Sequence, residues 1–148
     1  MSKRSILFSG LIVLVLMIQG CVMSTKPYTP VMAKSNKAII YVYRPESFVS
    51  RGLYWSFIIN GEKTYTPLVN NGYIPAYVDP GIINIELKQN DTLVKSHLAS
   101  LTLDAKAGKS YYIKATPHPF YVYDFVLMNE KIAKKEIKNS LFFIPEIK

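Results

Sequence analysis

Only a few side chains in this sequence are of the types that bind metals or transfer protons. The 148 residues include two histidines and one cysteine, and the ten acidic residues are scattered singly. His118 lies between two prolines in an expected rigid loop, and His97 has no carboxylate or second histidine at metal-ligand spacing. A metal site needs several converging ligands. We therefore predict no metal and no cofactor, with both histidines at surface or loop positions.

Sequence motifs for nucleophilic catalysis are also missing. No serine lies in a G-x-S-x-G motif, and the sequence contains no glycine-rich phosphate-binding loop. The two carboxylates of a glycosidase meet only in the folded chain, so a hydrolase stays open as an alternative. The residues predict a protein without enzymatic activity.

Met1–Cys21 has the three zones of an export signal. Lys3 and Arg4 give it a positive start, and Ile6–Ile18 is an almost unbroken apolar run. As a helix, this run would span about 20 Å, too short for a hydrocarbon core of about 30 Å. We therefore predict a signal peptide over residues 1–20 rather than a transmembrane helix.

The apolar run ends in Ile18-Gln19-Gly20-Cys21, which resembles the lipobox of bacterial lipoproteins. Ile18 and Gln19 depart mildly from the commonest lipobox residues. The resemblance implies a diacylglycerol on the Cys21 thiol, cleavage after Gly20, and a fatty acid such as palmitate on the new amino group. The alternative is an ordinary cysteine after a plain signal peptide. Since two or more acyl chains anchor a protein stably, an acylated Cys21 would hold the chain in a membrane.

The residues around the cysteine also bear on location and charge. Val22 follows Cys21, whereas Asp at that place resembles the inner-membrane retention signal of enterobacterial lipoproteins. The resemblance implies an outer-membrane anchor and a periplasmic domain; the cell exterior, as for an adhesin, is the alternative. Without Lys3 and Arg4, the chain keeps sixteen of its 18 basic residues and has ten acidic residues, which gives a net charge of about +6. This charge favours anionic phospholipid or lipopolysaccharide headgroups, and export argues against nucleic acid.

Residues 22–37 contain Pro27 and Pro30 and show no apolar periodicity. We interpret residues 21–37 as the acylated cysteine and a flexible tether, with a coil span of roughly 20–24 Å. The folded domain is predicted over residues 38–148.

The domain has the pattern of short strands separated by turns. Asn60-Gly61 predicts a tight hairpin, Asp79-Pro80-Gly81 another turn, and a change of apolar phase near Ala99 a bulge. We predict an all-β fold, a single antiparallel β-sandwich of about seven or eight strands with one short C-terminal helix. Strands are expected at Ala38–Tyr43, Leu53–Ile59, Lys63–Leu68, Tyr73–Val78, Ile82–Lys88, Leu93–Leu103, Ser110–Ala115 and Phe120–Met128, with a final strand or packed tail at Leu141–Ile144.

The predicted helix covers Asn129–Lys138, with Asn129 as its N-cap and Ala133 and Ile137 facing the sheet. One stripe of this helix carries four lysines at the spacing i, i+3, i+4 and i+7, namely Lys131, Lys134, Lys135 and Lys138. A solvated helix face is the simpler interpretation of this stripe. The alternative hypothesis is a contact with anionic lipid headgroups.

Ten of the 11 tyrosines fall in or beside predicted strands. Aromatic residues are good strand formers, so packing explains most of them. An exposed row of tyrosines that stacks on a glycan or peptide is the alternative.

Several of these motifs follow one another in the order found in the DUF2846 family, which this chain resembles. They are Tyr41-Val42-Tyr43-Arg44-Pro45, Asn60-Gly61, Gly72-Tyr73, Pro80-Gly81 and Ala107-Gly108-Lys109-Ser110-Tyr111-Tyr112-Ile113. The resemblance covers about residues 37–138 and implies a small bacterial protein, often a lipoprotein, without an assigned activity or catalytic residues. The turn arrangement also looks like PEGA-type sandwich modules. We predict a membrane-anchored, non-enzymatic envelope module that contacts an unidentified envelope protein; a periplasmic hydrolase or binding protein for envelope polymers is the alternative.

Overall fold

The computed structural model describes residues 25–49, 51–64, 66–89, 97–118 and 123–143. In these ranges the chain forms ten strands and one helix. In chain order they are β1 Thr25–Pro27, β2 Ala38–Arg44, β3 Trp55–Ile59, β4 Glu62–Lys63, β5 Gly72–Val78, β6 Gly81–Gln89, β7 His97–Ala105, β8 Ser110–Pro117, β9 Tyr123–Met128, α1 Glu130–Ile137 and β10 Leu141–Phe143. Among the residues so described, no helix is long and apolar enough to cross a bilayer.

The strands form two sheets that pack face to face. One sheet has the order β1-β10-β5-β2-β8-β9 and the other the order β4-β3-β6-β7. The main core lies between them and is built from the inward residues of each sheet, for example Ile40 and Val42 of β2 against Phe57 of β3 and Ile85 of β6. The predicted all-β sandwich with one C-terminal helix is confirmed.

A second apolar layer covers the outer face of the larger sheet. Ile39, Tyr41 and Tyr43 alternate with the inward residues of β2 and pack under Ala133 and Ile137 of α1. Both faces of β2 are therefore buried, as its run of apolar residues predicts. The helix begins at its predicted cap, since the Asn129 side chain accepts a hydrogen bond of 3.0 Å from the Lys131 N–H.

The local turn and strand predictions are largely confirmed. Asn60 and Gly61 both have positive φ, which the predicted hairpin turn requires. Ile83, Ile85 and Leu87 are buried along β6. The β6–β7 register shifts by one residue between the pairs Leu87–Ala99 and Lys88–His97, where the bulge was expected.

The sandwich differs from the prediction in strand number and strand direction. Three strands of two or three residues, β1, β4 and β10, raise the count to ten. The pairs β2–β8 and β5–β10 are parallel rather than antiparallel. The chain reaches β8 after a hairpin in the other sheet, so β8 enters beside β2 in the same direction; side-chain alternation carries no signal of strand direction.

Several strand bounds also differ from the sequence prediction. The strand expected over Lys63–Leu68 ends at Lys63, and the chain returns only at Leu68, which pairs with Trp55. Pro67, which has no N–H to donate to a ladder, lies in this interval. Residues 93–96 and 120–122, which we assigned to strands, lie outside the described residues, as do residues 1–24.

The largest departure concerns residues 25–37, which we expected to belong to a flexible tether. Thr25–Pro27 instead pairs with β10, and Tyr28 donates its backbone N–H to the Ser140 carbonyl at 3.1 Å. The Tyr41 hydroxyl accepts from the Val31 N–H at 2.7 Å and donates to the Val31 carbonyl at 3.0 Å. This segment docks because buried tyrosines of the sheet offer hydroxyl partners to its backbone, which local composition does not reveal.

Candidate functional site

A groove of about 680 Å³ opens between the edges of the two sheets. The β3–β4 turn forms one wall, and β5 with the β5–β6 turn forms the other. Its polar lining comes chiefly from Asn60, Glu62, Lys63, Thr64, Thr66 and Asp79, and its apolar lining includes Ile59, Ile82 and Phe142. The sequence did not reveal this site, because its walls come from strands that meet only in the folded sandwich.

One edge of β5 lies along this groove, and the other pairs with β2 along the whole strand. Within the described residues, the pairing of β10 with β5 is confined to Leu141 and Gly72. Pro75 sits in the middle of β5, where it limits further strand pairing because it has no N–H. The groove therefore combines polar and apolar lining beside a strand edge that pairs, among the described residues, only at Gly72.

Two carboxylates line the groove, but neither is shielded from solvent. The Asp79 side chain is 80% exposed and its Oδ1 accepts from Lys37 Nζ at 2.9 Å. Glu62 is also exposed. Burial that would separate the pKa values of a catalytic acid and base is therefore not found at either of these two carboxylates.

His118 contacts a carboxylate that its sequence neighbours do not reveal. Its Nε2 lies 2.8 Å from Oδ2 of Asp124, because the antiparallel β8–β9 pairing brings the two residues together. Both side chains are about half exposed, at 48% and 63%, and lie outside the groove lining. His97 begins β7, and its side chain is not among those described. No group of three potential metal ligands occurs in the described parts of the chain.

The four helix lysines lie on an exposed face of α1, as their spacing predicts. Lys131, Lys134, Lys135 and Lys138 are all exposed. Lys134 Nζ is 2.6 Å from the Glu130 carboxylate one turn earlier, which offsets part of the positive charge of this face. The structure therefore places the stripe together on the surface without assigning it a ligand.

Most of the described tyrosines are structural. The Tyr41 and Tyr112 rings stack with centroids 5.0 Å apart, and Tyr28 meets the Tyr41 and Tyr73 rings edge-on. Burial raises the pKa of the Tyr41 and Tyr112 hydroxyls. Tyr54 and Tyr77 are exposed, at 54% and 39%.

Arg44 is a buried cation that the sequence reasoning did not single out. It ends β2 with no exposed surface, and its Nη1 and Nη2 donate to the carbonyls of Leu53 and Val49 at 3.0 and 3.3 Å. Its guanidinium also lies over the rings of Trp55 and Tyr123, with carbon-to-centroid distances of 5.9 and 5.7 Å. Burial lowers the Arg44 pKa, and the Tyr123 hydroxyl partly opposes that shift. Arg44 thus ties Val49 and Leu53 to the end of β2.

The chain thus forms a two-sheet β-domain with a groove between the edges of its sheets and a buried arginine, Arg44. The family described as "Protein of unknown function (DUF2846)" matches residues 34–124, and the chain belongs to this family. The match runs from the segment before β2 into β9, so α1 and β10 lie beyond it. No curated protein matches the chain.

Proposed function

We propose that this protein is an envelope lipoprotein that is anchored through Cys21 and acts as a non-enzymatic interaction module close to the membrane. The sequence supports the anchor through the lipobox-like residues before Cys21 and the apolar leader. By its resemblance to enterobacterial lipoproteins, the anchor lies in the outer membrane and the domain faces the periplasm. An envelope protein is the proposed partner.

The position of Thr25 is the observation that supports a domain close to the membrane. Thr25 is already paired with Phe143 in the larger sheet. Three residues separate Cys21 from Thr25, and the four residue-to-residue steps, at about 3.3–3.6 Å each, reach at most about 14 Å. An acyl group on Cys21 would therefore hold the domain against the bilayer surface, whereas a free tether from residue 22 to residue 37 would let it range further.

The anchor is tested by replacing Cys21 with Ser and following the protein through membrane flotation after an alkaline wash. We expect the wild type to float with the membranes and Cys21→Ser to leave them. A Val22→Ser variant serves as the matched control, since it changes the neighbouring residue and keeps the thiol. Washing of the wild type from membranes, or retention of Cys21→Ser at the mass of the chain without its leader, would refute the anchor.

The groove favours a second candidate, a periplasmic protein that binds or hydrolyses envelope polymers. This candidate depends on the groove beside β5 and on Glu62 and Asp79 in its lining. Incubation with purified peptidoglycan or lipopolysaccharide separates its two forms. A hydrolase releases soluble fragments and loses this activity in Glu62→Gln or Asp79→Asn, but not in the control Glu46→Gln, whose carboxylate pairs with Arg51. A binding module retains polymer without releasing fragments.

A further inference from the structure

The sheet topology fixes the direction of β1, the first described strand after Cys21 in the sequence. β10 runs parallel to β5, and β1 runs antiparallel to β10. Going backwards from Thr25, the chain therefore points towards the Val78 end of β5. This end also contains the start of β2, because Ala38 pairs with Val78.

Two turns that are hydrogen-bonded to each other carry lysines at that end. One turn is closed by a hydrogen bond from the Lys37 N–H to the Lys34 carbonyl at 3.1 Å, and the other from the Lys109 N–H to the Lys106 carbonyl at 3.2 Å. The Gly108 N–H joins them by donating to the Lys37 carbonyl at 3.0 Å. We call this surface the basic end and define it by Lys34, Lys37, Lys106 and Lys109.

The basic end keeps a net positive charge and has apolar residues beside it. Lys37 pairs with Asp79 and Lys106 pairs with Asp104, so four lysines face two carboxylates. Met32 is 87% exposed and Ile82 is 64% exposed. Met32 lies beside Tyr77, which donates its hydroxyl to the Met32 carbonyl, and Ile82 lies beside the β5–β6 turn. Lysines with flanking apolar side chains are the composition that suits a lipid–water interface.

The helix lysines are placed differently with respect to the anchor. The helix begins just after Met128, whose partner Tyr112 lies in the basic-end half of β8. It ends near the opposite end of the sheet, where the Asn71 side chain donates to the Asn139 carbonyl. The lysine stripe of α1 therefore extends along the side of the domain and away from the direction in which the chain leaves Thr25.

We propose that the basic end rests on an anionic lipid surface and sets the orientation of the anchored domain. This inference rests on the proposed anchor at Cys21 for its biological setting, but the surface itself is testable without the lipid. Each lysine near an anionic leaflet contributes roughly fivefold to partitioning at low salt, and salt screens that contribution.

The test uses the chain from residue 21 with Cys21→Ser, which contains every described strand and the helix. Its flotation is measured at low ionic strength with vesicles of equal parts phosphatidylglycerol and phosphatidylcholine, and with phosphatidylcholine alone. Lys34→Gln, Lys106→Gln and Lys109→Gln are combined in one variant; Lys37 is kept because its ion pair with Asp79 holds the start of β2. The matched control combines Lys131→Gln, Lys135→Gln and Lys138→Gln, which removes the same charge from α1.

We expect the parent chain to bind only the anionic vesicles. The basic-end variant should lose about tenfold or more in partitioning, and the helix variant should stay within about twofold of the parent. Unchanged thermal unfolding would show that both variants are folded. Equal losses in both variants, a larger loss in the helix variant, or no preference of the parent for anionic vesicles would overturn the inference. Because this chain carries no lipid, these outcomes are independent of the anchor test.

Discussion

At the scale of single residues, Arg44 explains how a polar cation is tolerated inside a small β-sandwich. Its planar fork reaches two backbone carbonyls, and two aromatic rings cover its faces. A lysine carries the same charge but lacks the planar guanidinium group, whose several N–H donors and flat faces make these contacts. Arg44 therefore holds Val49 and Leu53 at the end of β2 and does not line the groove.

We predict that Arg44→Lys lowers the free energy of unfolding by about 2–4 kcal/mol, because a buried charge loses part of its hydrogen bonding. Urea denaturation measures this loss. Arg51→Lys is the matched control, since the Arg51 side chain is 66% exposed and pairs with the exposed Glu46, and it should change stability by less than about 0.5 kcal/mol. Similar midpoints for the two variants would contradict the structural role of Arg44.

A second residue-scale prediction concerns Glu136 and pH. Partial burial by itself would raise the Glu136 pKa, but hydrogen bonds from Lys114 and Tyr43 outweigh it and lower the pKa below its ordinary value of 4.5. A carboxyl with a lowered pKa adds stability above that ordinary value, and the contribution is lost as the pH falls through the folded pKa.

We therefore expect Glu136→Gln to cost about 1 kcal/mol near neutral pH, a value reduced for solvent screening. The difference from wild type should shrink as the pH falls below 4.5. Urea midpoints for both proteins across the acidic range measure this difference. A gap between the proteins that stays constant with pH would contradict the ion pair.

The sequence could predict the role of a residue where that role depends only on a few neighbouring residues in the chain. The lipobox-like residues and Asn129 as a helix cap are read from a few neighbours, and the cap is confirmed. Arg44 and the His118–Asp124 contact depend on strands that meet only in the fold, so their neighbours in sequence gave no signal. The Cys21 assignment stays a prediction.

At the scale of elements, the N-terminal segment before β2 is part of the domain rather than a spacer. Tyr28 packs edge-on against the Tyr41 and Tyr73 rings at centroid distances of 5.7 and 5.4 Å. These contacts add to the β1–β10 pairing and hold the segment on the outer face of the sheet. The position of this segment determines how far Cys21 lies from the domain.

We predict that Tyr28→Ala lowers stability by about 2 kcal/mol, because it removes a half-buried ring from an aromatic cluster. It should also speed hydrogen exchange at the Val31 amide, which now donates to the Tyr41 hydroxyl. The control is Tyr54→Ala, because Tyr54 is 54% exposed. Unchanged exchange at Val31 in Tyr28→Ala would show that the segment does not depend on Tyr28.

Periodicity was a sound guide to strands with one buried face and a poor guide to segments that pair at an edge. The alternation of β6 and the double burial of β2 follow directly from their residue patterns. β1 and β10 are only three residues long, and their pairing joins the first and last strands of the described residues. Such a pairing leaves no periodic pattern to detect, which is why residues 25–37 resembled a tether.

At the scale of the whole molecule, the short link from Cys21 to Thr25 makes the anchor and the orientation of the domain parts of one proposal. We predict that a flexible Gly-Ser insertion of about twelve residues after Ser24 lets the domain move away from the bilayer by roughly 17–21 Å. Energy transfer from a fluorophore at Lys109→Cys to acceptors in the lipid headgroups measures the distance. The energy transfer is measured on the acylated protein at high ionic strength, where contacts between lysines and lipid headgroups are screened.

The expected result is a clear fall in energy transfer on insertion. The wild-type sequence has one cysteine, at position 21, so an acylated Cys21 leaves the introduced thiol as the one available to the label. Equal transfer before and after insertion would mean that the domain is already loosely tethered, contrary to the docked β1.

The most direct measurement is the intact mass of the protein extracted from cell membranes. The proposal predicts a polypeptide that begins at Cys21 and carries a diacylglycerol and an added fatty acid. A mass that corresponds to an unmodified first residue, to cleavage at another position, or to a retained leader would contradict the anchor.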